Sequence, residues 1–243
     1  VTDVYDWPND WYYRIQTQSF NLRSLNQAAG IGWGGAGQAI SSLATQMWLC
    51  DVTMMPLRDP ILQDMDAFLA RLRGRNGVVR FGNGARLAPW NDRNLSPTTS
   101  TWDDGSTFTD GTAFANGFLP PEVYVVNAAA KGSNYVVLGG FPASMTAALH
   151  RGDLLQIKPN GIPGTVPHLY KTMWTADSNS AGQIGVAIEP RLRAGIAAGD
   201  VVGLRNATTL FRMVDDTQGD IQITGAGMGA CGFSLVEALD LVP

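Results

Sequence analysis

The sequence predicts a mainly β protein: a β-sandwich with one α-helix, completed by the C-terminal strands, and a small β-barrel or sandwich domain inserted into it. Three observations carry that expectation. Residues that favour exposed helices are scarce, since Lys131, Lys158 and Lys171 are the only lysines and Glu122, Glu189 and Glu237 the only glutamates in a chain with 28 glycines. A single stretch, 60–73, joins helical periodicity to end signals. Beyond residue 120, short apolar runs recur between turn residues at strand spacing.

Residues 1–10 read as an arm, because Tyr5 and Trp7, followed by Trp11, Tyr12 and Tyr13, crowd a polar segment too short to hold its own core. Packing on a neighbouring molecule and folding back on the same chain both fit. A strand follows over 13–25, then a glycine-rich turn at 30–37, GIGWGGAG, which carries Trp33. That turn spells G-x-G-x-x-G at Gly32, Gly34 and Gly37, with Asp51 or Asp59 near the distance of a ribose-binding acid. A second copy at Gly227, Gly229 and Gly232 shows how cheaply this chain produces the pattern. Neither lies in a strand–helix series, so no dinucleotide site is expected.

Residues 44–55, ATQMWLCDVTMM, put Trp48, Cys50, Val52 and Met54 on one face of a strand. Met47, Leu49, Asp51 and Thr53 take the other face, which suggests a central strand covered on both sides, with Asp51 and Thr53 near a rim. Pro56 ends it. Asp59-Pro60 then supplies an N-cap acceptor and a proline at the first helical position. Ile61, Met65, Phe68, Leu69 and Leu72 form the buried stripe. Asp64 and Asp66 near the start, Arg71 and Arg73 near the end and Gly74 as C-cap agree with the helix dipole. After a turn at Asn76-Gly77, Val78, Val79 and Phe81 begin another strand.

Patterning stops over 83–119, a long loop or extended hairpin rich in Ser, Thr, Asp and Gly that holds Trp90 and Trp102. Its Asp104-Gly105 and Asp110-Gly111 units lack the spacing of an EF-hand loop, so no metal is expected. The inserted domain then spans 120–205, with strands at 123–126, 135–138, 154–157, 169–174, 184–188 and 201–204. Gly152-Asp153 and Gly199-Asp200 each turn the chain into a strand, where the aspartate can accept bonds from backbone amides without any ligand. Three last strands, at 209–214, 221–224 and 233–239, return to complete the first domain, made of 1–82 and 206–243.

Little material for catalysis is present. His150 and His168 are the only histidines, and no G-x-S-x-G, H-E-x-x-H or P-loop occurs. Asp103 with Asp104, and Asp215 with Asp216, are adjacent and point to opposite sides of an extended chain. No catalytic residue and no cofactor are expected. Cys50 and Cys231, the only cysteines, are read as buried free thiols. A net charge of −4 argues against bulk binding to nucleic acid. No signal-like amino terminus or membrane-length apolar run appears. Arginines cluster at Arg71, Arg73, Arg75, Arg80, Arg86 and Arg93, which marks a protein partner, a phosphate or simply a solvated helix end.

FLARLRGRNGVVRF at 68–81, HRGDLLQI at 150–157, SAGQIGVAIEPRLRAGIAAGDVV at 180–202, LFRMVDD at 210–216 and FSLVEAL at 233–239 resemble tail-tip proteins of long, flexible-tailed bacteriophages. In particular they are similar to the distal tail protein family. The resemblance implies a non-enzymatic structural protein of the virion tail tip, assembled in the host cytoplasm. It implies a ring, usually hexameric, that joins the tail tube protein to the baseplate hub protein and tail fibres, without sequence recognition of nucleic acid or insertion in a membrane. Ring assembly needs sheet edges and aromatic anchors between copies. Trp7, Trp11, Tyr12, Trp33, Trp90 and Trp102, with Arg71, Arg73 and Arg75, are the interface candidates. Rival expectations are a carbohydrate- or receptor-binding module of the tail, a tail hub protein, or an enzyme on host-surface polymer that would use Asp103, Asp104 or His168.

Overall fold

The structure, a computed structural model, describes residues 3–29, 38–91, 122–158, 166–216, 219, 221–223 and 227–239, without side-chain placement for 25–29 and 38–45. The chain divides into two compact units: Val1–Leu87 with Gly164–His168 and Thr208–Pro243, and Ala88–Pro163 with Leu169–Ala207. The fold is mainly β. One unit is a sheet carrying the helix, and the other is a closed barrel.

The first unit begins with β1 (Val4–Asp6), a 3-10 turn over Asn9–Arg14, and a long hairpin of β2 (Ile15–Ala29) and β3 (Gln38–Met54). Helix α1 (Ile61–Leu72) and β4 (Val78–Gly82) follow. The segment expected to be an arm therefore contains a strand: β1 pairs in parallel with β4, Tyr5 opposite Val79, and Arg80 forms an ion pair with Asp6 at 2.8 Å.

Helix α1 forms where the periodicity places it, with Leu62, Met65 and Leu72 buried. Its ends differ by a residue from expectation. Pro60, already in the αR region, occupies the N-cap position, and no side chain caps the first turn. At the other end Arg73 itself takes the left-handed conformation at φ 50°, followed by Gly74 at φ 61° and a 3-10 turn over Gly74–Asn76. Gly74 has to be glycine, because a Cβ there would run into the Asp216 carboxylate.

The barrel unit supplies β5 (Val123–Val125), β6 (Tyr135–Gly139), β7 (Leu154–Lys158), β8 (His168–Thr172), β9 (Ile184–Glu189) and β10 (Val201–Gly203), one for each expected run. They close in the order β10-β5-β6-β9-β8-β7. Val123, Val136, Leu138, Leu155, Ile157, Tyr170, Ile184, Val186 and Val202 are among the side chains filling it.

After the barrel come β11 (Thr208–Met213), β12 (Gln222–Ile223), β13 (Gly229–Ala230) and β14 (Gly232–Glu237). β12 and β13 form a separate ribbon, and the second G-x-G-x-x-G runs from Gly227 through β13 to the first residue of β14. β11 and β14 do return to the first sheet, and they become its middle: the order is β1-β4-β11-β14-β3-β2.

One face of that sheet carries a run of rings. Trp48 touches Phe20 at 5.1 Å between centroids, Phe20 meets Phe211 at 5.9 Å, Phe211 meets Phe81 at 6.3 Å and Phe81 meets Trp7 at 5.1 Å. Phe68 of α1 closes on Trp7 from the helix side at 5.7 Å. On the opposite face of β3, Met47 and Leu49 are half-buried while Asp51 and Thr53, expected near a rim, are exposed, and Ser234 Oγ donates to Asp51 Oδ1 at 2.6 Å.

Candidate functional site

The interface candidates separate into three groups. Of the two arrangements open to Trp7 and Trp11, the structure has the chain folding back on itself: both are core residues, each only 5 % exposed. The 3-10 turn folds Trp11 back edge-on to Trp7 at 5.3 Å and onto Phe68 at 5.4 Å. Their own chain supplies the burial that the polar surroundings seemed to deny them. Tyr12 is half-buried beside Phe81, and its hydroxyl accepts the Gly82 N–H at 2.9 Å. Desolvation pushes its phenol up to about 12.

Trp33 and Trp102 lie outside the described residues, as do Asp103, Asp104 and the Asp-Gly repeats. Trp90 is 81 % exposed. Its ring stands 5.8 Å from His150, while its N–H donates to Asp153 Oδ1 at 3.0 Å. His150 sits at that barrel turn and His168 is buried in β8. Among the described residues no group of three or more His, Cys, Asp and Glu is placed to hold a metal ion, and no helix is long and apolar enough to cross a membrane.

Arg71, Arg73 and Arg75 are exposed at the end of α1. The Arg71 guanidinium lies 4.9 Å from the centre of the Tyr5 ring. The backbone carrying the other two is fixed: the Arg75 N–H donates to Asp216 Oδ1 at 2.8 Å, and Arg212 Nη1 donates to the carbonyls of Arg75 and Asn76 at 3.0 and 2.9 Å.

The strongest assembly feature is one that strand patterning undervalued. β2 and β3 pair from Ile15 opposite Met54 to Ala29 opposite Gln38, with register shifts between Ile15 and Thr17 and between Ser24 and Asn26, whereas β14 covers β3 only from Leu49 to Thr53. The outer part of the hairpin, roughly 30 Å of strand at ~3.4 Å per residue, therefore has no third strand among the described residues. β2 is also the last strand of its sheet. Natural edges are normally guarded by charge or proline. Here the chain has no Asp, Glu, Lys, Arg, His or Pro from residue 24 to residue 50. Ala, Ser, Gln and Gly dilute the strand signal of that run, but the unbroken absence of charge was there to be read.

Both cysteines are buried free thiols. Burial pushes Cys50 up to about 12 and Cys231 to about 11. The folded protein keeps its protons where unfolded thiols, near 9, and an unfolded tyrosine, near 10, lose theirs. Stability is thus independent of these groups below about pH 9 and falls as pH rises from 9 toward 12. Chemical denaturation across that range should show the decline, and a thiol reagent should leave both cysteines unlabelled at pH 7 until the protein unfolds.

Compared with models of known protein families and with curated protein sequences, the chain matches none.

Proposed function

We propose that the protein is a structural component of a bacteriophage tail tip, of the distal tail kind, whose copies join in a ring between the tail tube and the baseplate hub. The observation that carries this reading is the long β2–β3 hairpin, whose outer part is free of charge and proline. A two-stranded hairpin is marginal in water by itself, and both flanks of its outer part offer N–H and C=O groups to further strands. Pairing with another copy satisfies them. The sequence resemblance supplies the setting, with the tail tube, hub and fibres as neighbours and the virion tail tip as the location. No catalytic step is part of the reading.

Sedimentation velocity and electron microscopy of the purified chain test it, with closed rings, six-fold by the resemblance, as the expected result. Replacing Asn26–Ser41 by a two-residue Asn-Gly turn should shorten the hairpin, leave the sheet folded and reduce ring formation at least tenfold. Rings formed equally well by the shortened chain would remove the hairpin from the contact.

A second reading, a carbohydrate- or receptor-binding module, draws on the barrel wall. The Tyr124 and Tyr135 side chains, each about half exposed, lie over Gly139 and Gly185 of adjacent strands, where a Cβ would collide with them. Flat, immobilised rings are suited to stacking on sugars. Saccharide binding by the monomer that is lost in Tyr124→Ala and Tyr135→Ala would favour this reading over assembly.

A further inference from the structure

The two ends of α1 have opposite chemistry. At its start, a groove of about 430 Å³ opens between the helix and the β12–β13 ribbon, lined by Asp59, Gln63 and Asp66 together with the apolar Leu62, Ile221 and Ile223. Ile223 is 68 % exposed. At the other end, roughly 18 Å away for twelve residues at ~1.5 Å each, stand the exposed Arg71, Arg73 and Arg75. Among the described residues, none of Asp59, Asp66, Arg71 and Arg73 takes part in an ion pair. The helix dipole accounts for Asp64 in the first turn and Arg71 in the last. It accounts neither for exposed apolar side chains beside carboxylates in one groove nor for arginines held beyond the helix on a turn that Asp216 and Arg212 brace.

We infer that these ends are the two halves of a head-to-tail contact, in which the groove at the start of α1 receives the arginine-bearing end of α1 from a second copy of this chain. The inference rests on the assembly reading and names a contact within it. Arginine suits the groove because its methylene stem can cover Leu62 and Ile223 while its guanidinium reaches Asp59 or Asp66. The two surfaces differ and sit at opposite ends of one element, so the contact is heterologous, the type that closes rings. The turn at Arg73 and Gly74 is fixed before association, so little ordering opposes it.

Charge reversal tests it. One chain carries Gln63→Arg and Asp66→Arg in the groove, the other Arg71→Glu and Arg73→Asp at the far end; all four positions are exposed. Each chain alone should self-associate on the order of a hundredfold more weakly than the original, by sedimentation velocity at matched concentration and low salt. An equimolar mixture should regain the assembly with the two chains alternating, seen as a mixed species by native mass spectrometry. Reversed chains that assemble as well as the original, or a mixture that stays dissociated, would overturn this contact while leaving the assembly reading standing. An original chain that is monomeric at the highest attainable concentration would overturn both.

Discussion

Replacing Trp7 with alanine is expected to cost about 3–5 kcal/mol of the sheet unit's stability, the range for emptying a large aromatic site. Trp7 is ringed by Trp11, Tyr12, Phe68, Phe81 and Phe233, with centroid separations from 5.1 to 6.4 Å. It joins the amino-terminal segment to the helix and the sheet together, so no single neighbour can collapse into the cavity. Its indole Nε1 is buried without a hydrogen-bond partner. Trp7→Phe therefore loses volume but no hydrogen bond, and should cost less than about 2 kcal/mol. Urea unfolding followed by circular dichroism would measure both. A Trp7→Ala loss below about 1 kcal/mol would return residues 3–14 to the status of a loosely attached arm.

The second large effect is expected at Asp153. This buried carboxylate accepts the His150 N–H at 2.7 Å and the Trp90 N–H at 3.0 Å. Asp153→Ala strips both amides of their acceptor, at a cost of about 2–3 kcal/mol in the barrel's unfolding. Asp153→Asn keeps one acceptor oxygen and should cost visibly less. Asp200 makes the matching turn, with Oδ2 accepting from the Ala197 N–H at 2.8 Å. Asp200 is buried too, so Asp200→Ala should also destabilise the barrel measurably.

The barrel strands were legible because each apolar run is preceded within three residues by glycine, proline or aspartate, and a run of four to six residues between turns has few alternatives. The return of the C-terminal strands followed from the shortage of strands in the first block. Closure of the barrel was not legible, since alternation gives the face of a side chain but not the partner of its strand. The helix caps slipped by one residue because Pro60 fits the cap position as readily as the first turn, and because Arg73 adopts a left-handed conformation that a sequence reader reserves for Gly74. For Trp7 and Trp11 the sequence leaves a partner surface and the chain's own core both open. Their neighbours Asp6, Asn9 and Asp10 are polar, and only the 3-10 turn, a tertiary outcome, brings the indoles inside. Of the candidate site, the arginine end of α1 was visible in the sequence. The long hairpin was half visible, its outer strands being built of residues with weak β preference.

The position of β11 and β14 between β4 and β3 governs how the molecule can emerge from the ribosome. The six strands of the barrel lie within residues 123–203 and need nothing synthesised later. The sheet must wait for residue 237. Through that interval the β2–β3 hairpin and the β1–β4 pair hold two bare inner flanks toward each other, separated by the width of two missing strands. The insert therefore matures before its host, and mispairing of those flanks is the hazard that a nascent-chain chaperone has to cover.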